Sequence, residues 1–160
     1  MATRKTSPAE LTPAGRLEEA GLTGVLGYQI AQAQIVTDAI YRTEVGEPFG
    51  LRAVEYTVLT LIAENPGGSL ARLARALAVT APNITAMVDR LEGKGLVERA
   101  TSDEDRRSHV LHTTRKGAEL VRKATQRIVA REQALLPLTA GERAMLLELL
   151  HKVASARPAR

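Results

Sequence analysis

Residues 69–114 read SLARLARALAVTAPNITAMVDRLEGKGLVERATSDEDRRSHVLHTT, and this stretch carries most of the information about the fold. It contains two apolar stripes with the three-to-four-residue spacing of helices, separated by a turn at Ala78-Val79. The stripes are Leu70, Leu73 and Leu77 before the turn, and Ile84, Val88 and Leu91 after it. The pattern predicts two short helices that meet at a tight turn.

The residues beside these stripes indicate where the helices begin and end. Ser69 and Thr80 stand at N-cap positions, where a side-chain hydroxyl can accept a hydrogen bond from a free backbone N–H. Pro82 falls in the first turn of the second helix, where its missing N–H costs nothing. Gly93 then closes that helix, which we expect to cover about residues 81–92.

A charged loop follows, between two runs that favour β-strands. Residues 96–100 and 108–113 are the strand-compatible runs, and the loop between them contains Asp105, Arg106 and Arg107. A helix-turn-helix followed by a hairpin with arginines at its tip is typical of proteins that read duplex DNA. The sequence therefore predicts a winged helix-turn-helix that binds DNA.

Helices flank this unit on both sides. Apolar residues at helical spacing predict a long helix over residues 22–45, stopped by Gly46 and Pro48. A second helix over 51–64 ends at Asn65-Pro66-Gly67-Gly68. On the other side, Thr114 caps a helix over 115–136, and a capping box from Thr139 to Glu142 begins a last helix that ends near Ser155.

The flanking helices are too long to be covered by the small central unit. Their apolar stripes are most simply buried against the same helices of a second copy, which predicts a symmetric homodimer. The expected fold is mainly α with a small β-hairpin wing, a winged helix-turn-helix core flanked by long dimerisation helices. The expected divisions are a flexible N-terminal arm (1–20), an N-terminal dimerisation helix (21–50), a DNA-binding lobe (51–114) and C-terminal dimerisation helices (115–160).

Composition excludes several classes of protein. The 160 residues suit one domain with extensions, and 44% hydrophobic with 2% aromatic content indicates an aliphatic core. The absence of cysteine excludes disulfides and thiol redox chemistry. No apolar run approaches the ~20 residues of a membrane span, and the N-terminus lacks the apolar stretch of a secretory signal. We expect a cytoplasmic protein with no membrane partner.

The positive charge is unevenly distributed along the chain. The net charge is +4, but residues 21–68 carry two basic and five acidic residues, whereas residues 115–160 carry ten basic and four acidic ones. The proposed reading segment, residues 69–107, has seven basic and six acidic residues. Net charge by itself therefore gives only modest support for a nucleic-acid partner.

The DNA-contacting residues are expected on the second helix and the wing. Asparagine can pair with adenine, and a threonine methyl group can touch thymine. Arginine enters a narrow minor groove, where an adjacent aspartate can orient it. The alternative is an ordinary capped surface helix with a solvated loop. The predicted DNA-binding residues are Ser69, Thr80, Pro82, Asn83, Thr85, Arg90, Asp105, Arg106 and Arg107.

The ordered motifs of residues 22–155 resemble the MarR family of winged-helix transcription regulators. The sequence departs from the family pattern at Ser102, where the family often has a second aspartate, and at Thr113, where it often has leucine. The matching motifs are LARAL at 73–77, VT at 79–80, VDRLEGKGLVER at 88–99, DRR at 105–107 and TRKG at 114–117.

This resemblance implies how the protein works. A homodimer would bind a pseudo-palindrome, with the recognition helices in successive major grooves and Arg107 of each wing in a flanking minor groove. Members of the family commonly repress a neighbouring operon until a small aromatic acid or phenol releases them. Such a ligand changes the separation of the two reading heads and so lowers affinity at a fixed half-site spacing.

The resemblance also implies an effector pocket between the dimer helices and the DNA-binding lobe. Arg42 and Arg52 are the only basic residues between Leu17 and Ala71, and such arginines suit a carboxylate ligand. Alternatively, they form salt bridges with neighbouring glutamates, and the tyrosines are core residues. The predicted ligand-binding residues are Tyr28, Gln32, Arg42, Arg52 and Tyr56.

Other function classes find less support. The sequence has no Ser/His/Asp pattern, phosphate loop or dinucleotide fingerprint, so we expect neither an enzyme nor a cofactor. His109 and His112 would point to opposite faces of a strand, so no metal site is expected. A winged-helix protein-interaction module without specific DNA binding remains the alternative. The motifs encode neither the operator nor the effector, nor the choice between repression and activation.

Overall fold

The computed structural model describes residues 11–101 and 109–157. Its element order matches the expectation, and the predicted class, a mainly helical winged helix-turn-helix with a two-stranded hairpin, is confirmed. The elements are α1 (Leu26–Tyr41), a π-helical turn (Arg42–Gly46), α2 (Glu47–Phe49), α3 (Ala53–Glu64), α4 (Leu70–Leu77), α5 (Ala81–Gly93), β1 (Val97–Thr101), β2 (His109–Thr113), α6 (Arg115–Leu135) and α7 (Ala140–Ser155).

The N-terminal helix differs from the prediction at both ends. It begins at Leu26 rather than at residue 22, because residues 20–24 form a turn that the two glycines in this stretch favour. The chain does not leave the helical path at Gly46 but continues through the π turn and α2. Pro48 is tolerated because it lies in the first turn of α2, where no N–H donor is needed. Gly50, with φ of 61°, ends the run.

The predicted helix caps are confirmed with one exception. The confirmed caps are Ser69 accepting from the N–H of Arg72, Thr114 from that of Gly117 and Thr139 from that of Glu142. Thr80 occupies the N-cap position of α5, but its side chain accepts no capping hydrogen bond. One of the two usual donors for such a bond is missing, because the second residue of α5 is Pro82.

The hairpin closes the DNA-binding lobe. β1 and β2 pair antiparallel, with Val97 opposite Thr113, and a bridge from Gly68 to Leu111 joins the start of α4 to the sheet. β1 begins one residue later than predicted, because the N–H of Leu96 donates to the carbonyl of Leu91 in α5 rather than to β2. The sheet thereby connects α4, α5 and α6.

An aliphatic core holds this lobe together. Each of its central side chains is at most 2% exposed, and full burial of one such side chain contributes about 1.5–3 kcal/mol. The residues come from α3, α5 and the hairpin, so burial fixes α5, the predicted recognition helix, against its neighbours. They are Val58, Leu59, Ile62, Ile84, Val88, Leu91, Val97 and Leu111.

The flanking helices, by contrast, leave many of their large apolar side chains uncovered in the single chain. Leu26 and Ile35 of α1 are 55% and 64% exposed, and Met145 and Leu147 of α7 are 63% and 57% exposed. A cleft of about 620 Å³, lined mainly by aliphatic side chains, separates α1 from the α6–α7 corner. Within the described ranges, no helix is long and apolar enough to cross a membrane.

Candidate nucleic-acid interface

The recognition helix α5 has one face in the core and one face free. Ile84, Val88 and Leu91 are fully buried, whereas Thr80, Pro82 and Asn83 are exposed. The half-buried Thr85 donates its hydroxyl hydrogen to the carbonyl of Ala81 at 2.9 Å, so only its lone pairs and methyl group remain for a ligand. The first turn of α5 therefore presents a small polar edge on a rigid support. The predicted DNA-binding residues that lie at this edge are Thr80, Pro82, Asn83 and Thr85.

Ser69 lies at the other end of the helix-turn-helix and is half-buried. Its hydroxyl accepts from the N–H of Arg72 at 3.4 Å, so it is at least partly committed to capping α4. Arg72 and Arg75 are exposed on α4 and were absent from the predicted set. The first helix of a helix-turn-helix crosses the DNA backbone, so these arginines are added phosphate-contact candidates, which their spacing of three on a helix could have indicated.

Arg90 is less free than the sequence suggests. Its Nε donates to Oε1 of Glu55 at 2.8 Å, and Nζ of Lys94 donates to Oε2 of the same carboxylate at 3.0 Å. Burial would raise the pKa of Glu55, but the hydrogen bonds from Arg90 and Lys94 outweigh burial and hold that pKa below its usual range. Glu55 was not predicted as a partner of Arg90 because 35 residues separate the two in the sequence.

The wing is anchored to the recognition helix by Arg99 of β1. Its guanidinium donates to Asp89 and forms an ion pair with Glu92 at 3.0 Å, and both carboxylates belong to α5. The base of the hairpin is thereby fixed relative to the helix. The predicted tip residues Asp105, Arg106 and Arg107 lie outside the described residues.

The five predicted ligand residues occupy more than one place on the chain. Tyr28 and Gln32 are neighbours on α1, and a hydrogen bond from the Tyr28 hydroxyl to Glu19 raises the pKa of that tyrosine. Arg42 follows Tyr28 by 14 residues, which corresponds to about 21 Å along a helix. In the single chain, the five predicted ligand-binding residues are therefore not all brought together at either end of α1.

Two of the remaining candidates, Arg42 and Tyr56, have side-chain partners of their own. Arg42 lies 3.8 Å from Glu47 in an exposed ion pair, which is the salt-bridge alternative raised from the sequence. Arg52 is exposed at the start of α3. The hydroxyl of Tyr56 shares a 2.7 Å hydrogen bond with that of Thr125, which ties α3 to α6.

A tyrosine that was not predicted lies beside Tyr56. The rings of Tyr41 and Tyr56 are 5.9 Å apart, and the Tyr41 hydroxyl donates to the carbonyl of Leu51. Burial raises the pKa of Tyr41 to about 12, so this hydroxyl stays protonated and keeps its donor role. The pair packs where the N-terminal helix meets the DNA-binding lobe.

The π turn is tied to α6 by a second set of contacts. Glu44 accepts two hydrogen bonds of 3.1 Å from Arg127 and lies 3.6 Å from Arg131. The Arg127 guanidinium also lies 5.7 Å from the ring centre of Phe49. Local sequence patterns could not predict these contacts, because 83 residues separate Glu44 from Arg127. Over the described ranges, no three His, Asp or Glu side chains cluster as a metal site.

Comparison with known proteins gives consistent matches. The MarR family model matches residues 51–109. A regulatory protein assigned to the hcr operon of Thauera aromatica is 32% identical over 138 residues, covering 86% of this chain and 83% of that protein.

Two solved structures extend the match to the fold. The transcriptional repressor CouR, bound to a 23-mer DNA duplex, superposes with a TM-score of 0.77 at 32% identity and covers 86% of this chain and 98% of its own. The PcaV regulator from Streptomyces coelicolor, in complex with its natural ligand, superposes with a TM-score of 0.71 at 25% identity, covering 84% and 95%.

A helix-turn-helix with an exposed polar edge, an anchored wing and amphipathic flanking helices is the architecture of the winged-helix class of transcription regulators. The chain belongs to the MarR family, whose members are transcription regulators and not enzymes.

Proposed function

We propose that this protein is a ligand-responsive repressor that binds a pseudo-palindromic operator as a homodimer. The observation that carries the proposal is the exposed polar first turn of α5, on a helix whose opposite face is locked in the core. The similarity to CouR bound to a DNA duplex supports the same conclusion.

The dimer would form through α1 and the C-terminal helices. These helices expose large aliphatic side chains in the single chain. Burying them is favourable by about 25 cal/mol for each Å² of apolar surface removed from water. A two-fold axis through this surface would bury it in both copies at once. It would also place two copies of α5 at a fixed separation for two half-sites.

Contacts with DNA would come from α5 and the wing. Asn83 would read a base edge in the major groove, while Thr80, Pro82 and Thr85 would pack against neighbouring bases or phosphates. Arg107 would enter the flanking minor groove, oriented by Asp105 and supported by Arg106.

The effector would be a small aromatic carboxylate or phenol. The complex of PcaV with its natural ligand supports ligand control in a related protein. In the dimer, Tyr28, Gln32, Arg42, Arg52 and Tyr56 would supply rings and cations around the junction between the dimer helices and the lobe.

DNA binding is tested first with the purified protein and the DNA upstream of its own and adjacent genes, at stated salt. Arg107→Ala and Asn83→Ala are each expected to weaken operator binding about tenfold or more. Arg115→Ala, which removes one exposed arginine from the start of α6, serves as the charge-matched control. Equal operator affinity in all three variants and the wild type would contradict the assigned contacts.

A protein-interaction module is the second candidate function. It predicts that wild-type protein binds operator fragments no more tightly than random DNA at any salt concentration. Tight and selective binding would exclude it.

The effector is tested with a panel of aromatic carboxylates and phenols added to the protein–DNA complex. Arg42→Ala and Arg52→Ala are expected to blunt release by a carboxylate while DNA binding stays near normal. If both variants respond like the wild type, the two arginines do not bind the effector.

A further inference from the structure

A buried carboxylate lies behind the recognition helix. Glu55 is 2% exposed and is the one buried charged side chain in the described part of the chain. Isolating such a charge from water is costly unless it is fully paired. Glu55 is paired, because it accepts hydrogen bonds from Arg90, Lys94 and the backbone N–H of Arg52.

Glu55 and its partners connect three segments of the chain. Glu55 lies in the first turn of α3, whereas Arg90 and Lys94 lie at the end of α5. Lys94 also donates to the carbonyl of Gly50 at 2.8 Å, and Gly50 ends the run that starts with α1. The cluster therefore joins the end of the α1–α2 run, the base of α3 and the end of the recognition helix.

Only part of Arg90 is used in this cluster. Glu55 takes its Nε, while the side chain as a whole remains 42% exposed. A guanidinium has five N–H donors, so its outer nitrogens can bind a second anion. Arg90 follows Asn83 by seven residues, about two helical turns, and therefore shares its exposed face.

We propose that Glu55 is a positioning residue for DNA reading. Its carboxylate holds Arg90 by Nε, so that the outer N–H groups of Arg90 bind a backbone phosphate near the end of the recognition helix. Through Lys94 it also fixes the direction of α5 relative to the end of the α1–α2 run. This inference rests on the proposed DNA-binding function and adds a residue that does not itself touch DNA.

The sign of the effect separates positioning from simple charge. Glu55→Gln removes one negative charge, and charge alone would tighten binding to polyanionic DNA. Positioning predicts the opposite, because the glutamine amide keeps one acceptor oxygen but lacks the charge and the second acceptor that together hold Arg90 and Lys94. Glu119→Gln removes the same charge from the surface of α6, where the carboxylate pairs with Arg115.

The first experiment measures binding of wild type, Glu55→Gln and Glu119→Gln to operator and to random DNA over a range of salt. Glu55→Gln is expected to lose about tenfold in operator affinity, and its random-DNA affinity should fall as well, because a phosphate contact carries no sequence information. Glu119→Gln should bind operator as tightly as wild type or slightly more tightly. Unchanged or tighter operator binding by Glu55→Gln would overturn the inference.

Two further variants keep the test independent of folding. Arg90→Lys preserves a cation for Glu55 but cannot reach the carboxylate and a phosphate together, so it should also lose operator affinity. Because Glu55 acts through Arg90, adding Glu55→Gln to Arg90→Gln should cause little further loss. Wild-type affinity in Arg90→Lys, or independent losses in the double variant, would refute the mechanism.

DNA binding by the wild-type protein separates failure of the proposed function from failure of this inference alone. If it does not prefer any DNA from its own neighbourhood over random DNA, the proposed function fails and this inference fails with it. If the wild type binds selectively and Glu55→Gln matches it, the inference alone fails.

Discussion

Replacing Gly117 by alanine inserts a methyl group where two backbone segments touch. Gly117 lies in the first turn of α6, against the backbone of Leu96 at the base of the wing. A Cβ at this position would lie 2.0 Å from the oxygen of Leu96 and 3.0 Å from its carbonyl carbon. Cβ atoms essentially never approach another atom closer than 3.0 Å, so the segments must separate by about 1 Å.

The cost follows from what that separation breaks. The oxygen of Leu96 accepts the N–H of Thr114 at 3.1 Å, and losing this hydrogen bond costs about 1 kcal/mol. Leu96 itself is 2% exposed, and forcing apart a packed core costs a further 1–3 kcal/mol or so. The better helix propensity of alanine returns less than about 1 kcal/mol. We expect Gly117→Ala to lower the free energy of unfolding by about 2–3 kcal/mol.

Urea unfolding followed by circular dichroism measures this change. Protein concentration must be equal for all variants, because the stability of a dimer depends on it. Gly93→Ala is the matched control, since no atom lies within 4 Å of a Cβ built there. A Gly117→Ala variant whose unfolding free energy lies within about 0.5 kcal/mol of wild type would refute the reasoning.

Three further predictions concern the dimer, acid stability and the turn between the helices. Leu150→Glu, on the apolar face of α7, should shift the protein to monomer and abolish operator binding; an unchanged elution volume in size-exclusion chromatography would contradict the assigned interface. Because the pKa of Glu55 lies below its usual value of 4.5, its stabilising contribution is complete above that pH and is lost on acidification. The stability difference between wild type and Glu55→Gln should therefore shrink as urea unfolding is repeated from pH 6 to pH 3, and a constant difference would count against the ion cluster. Ala78 has φ of 53°, so Ala78→Gly should raise the unfolding free energy by up to about 1 kcal/mol, and a clear loss of stability would argue against left-handed strain there.

Local chemistry made much of the fold predictable from sequence. The stripe of Ile84, Val88 and Leu91 lies in the core as expected, because helical periodicity places these residues on one face. Ser69 and Thr139 cap their helices because the hydroxyl and its donor are three residues apart. Such features depend on neighbours within a single turn.

Features that depend on distant segments were not predictable in this way. Gly46 and Pro48 suggested a stop, but contacts of Glu44 with Arg127 accompany a π turn that continues the helical path. Arg90 was predicted to bind DNA, whereas in the structure its Nε also donates to Glu55, which lies 35 residues away in the sequence. No local spacing encodes either pairing, since each is created by the tertiary fold.

The π turn also bears on how such a regulator can change during evolution. It lies between the helix proposed to pair two copies and the lobe proposed to read DNA, and it holds one residue more than an α-helical turn. Because the π turn accommodates that extra residue within one turn, deleting a single codon within residues 42–46 would restore ordinary helix and leave the direction of α1 relative to the lobe nearly unchanged. A one-residue deletion within the regular helix of α1 would instead rotate the preceding part of α1 by about 100° relative to the lobe. In the proposed dimer, the length of α1 is therefore a route to re-spaced recognition helices that leaves every DNA-contacting side chain unaltered.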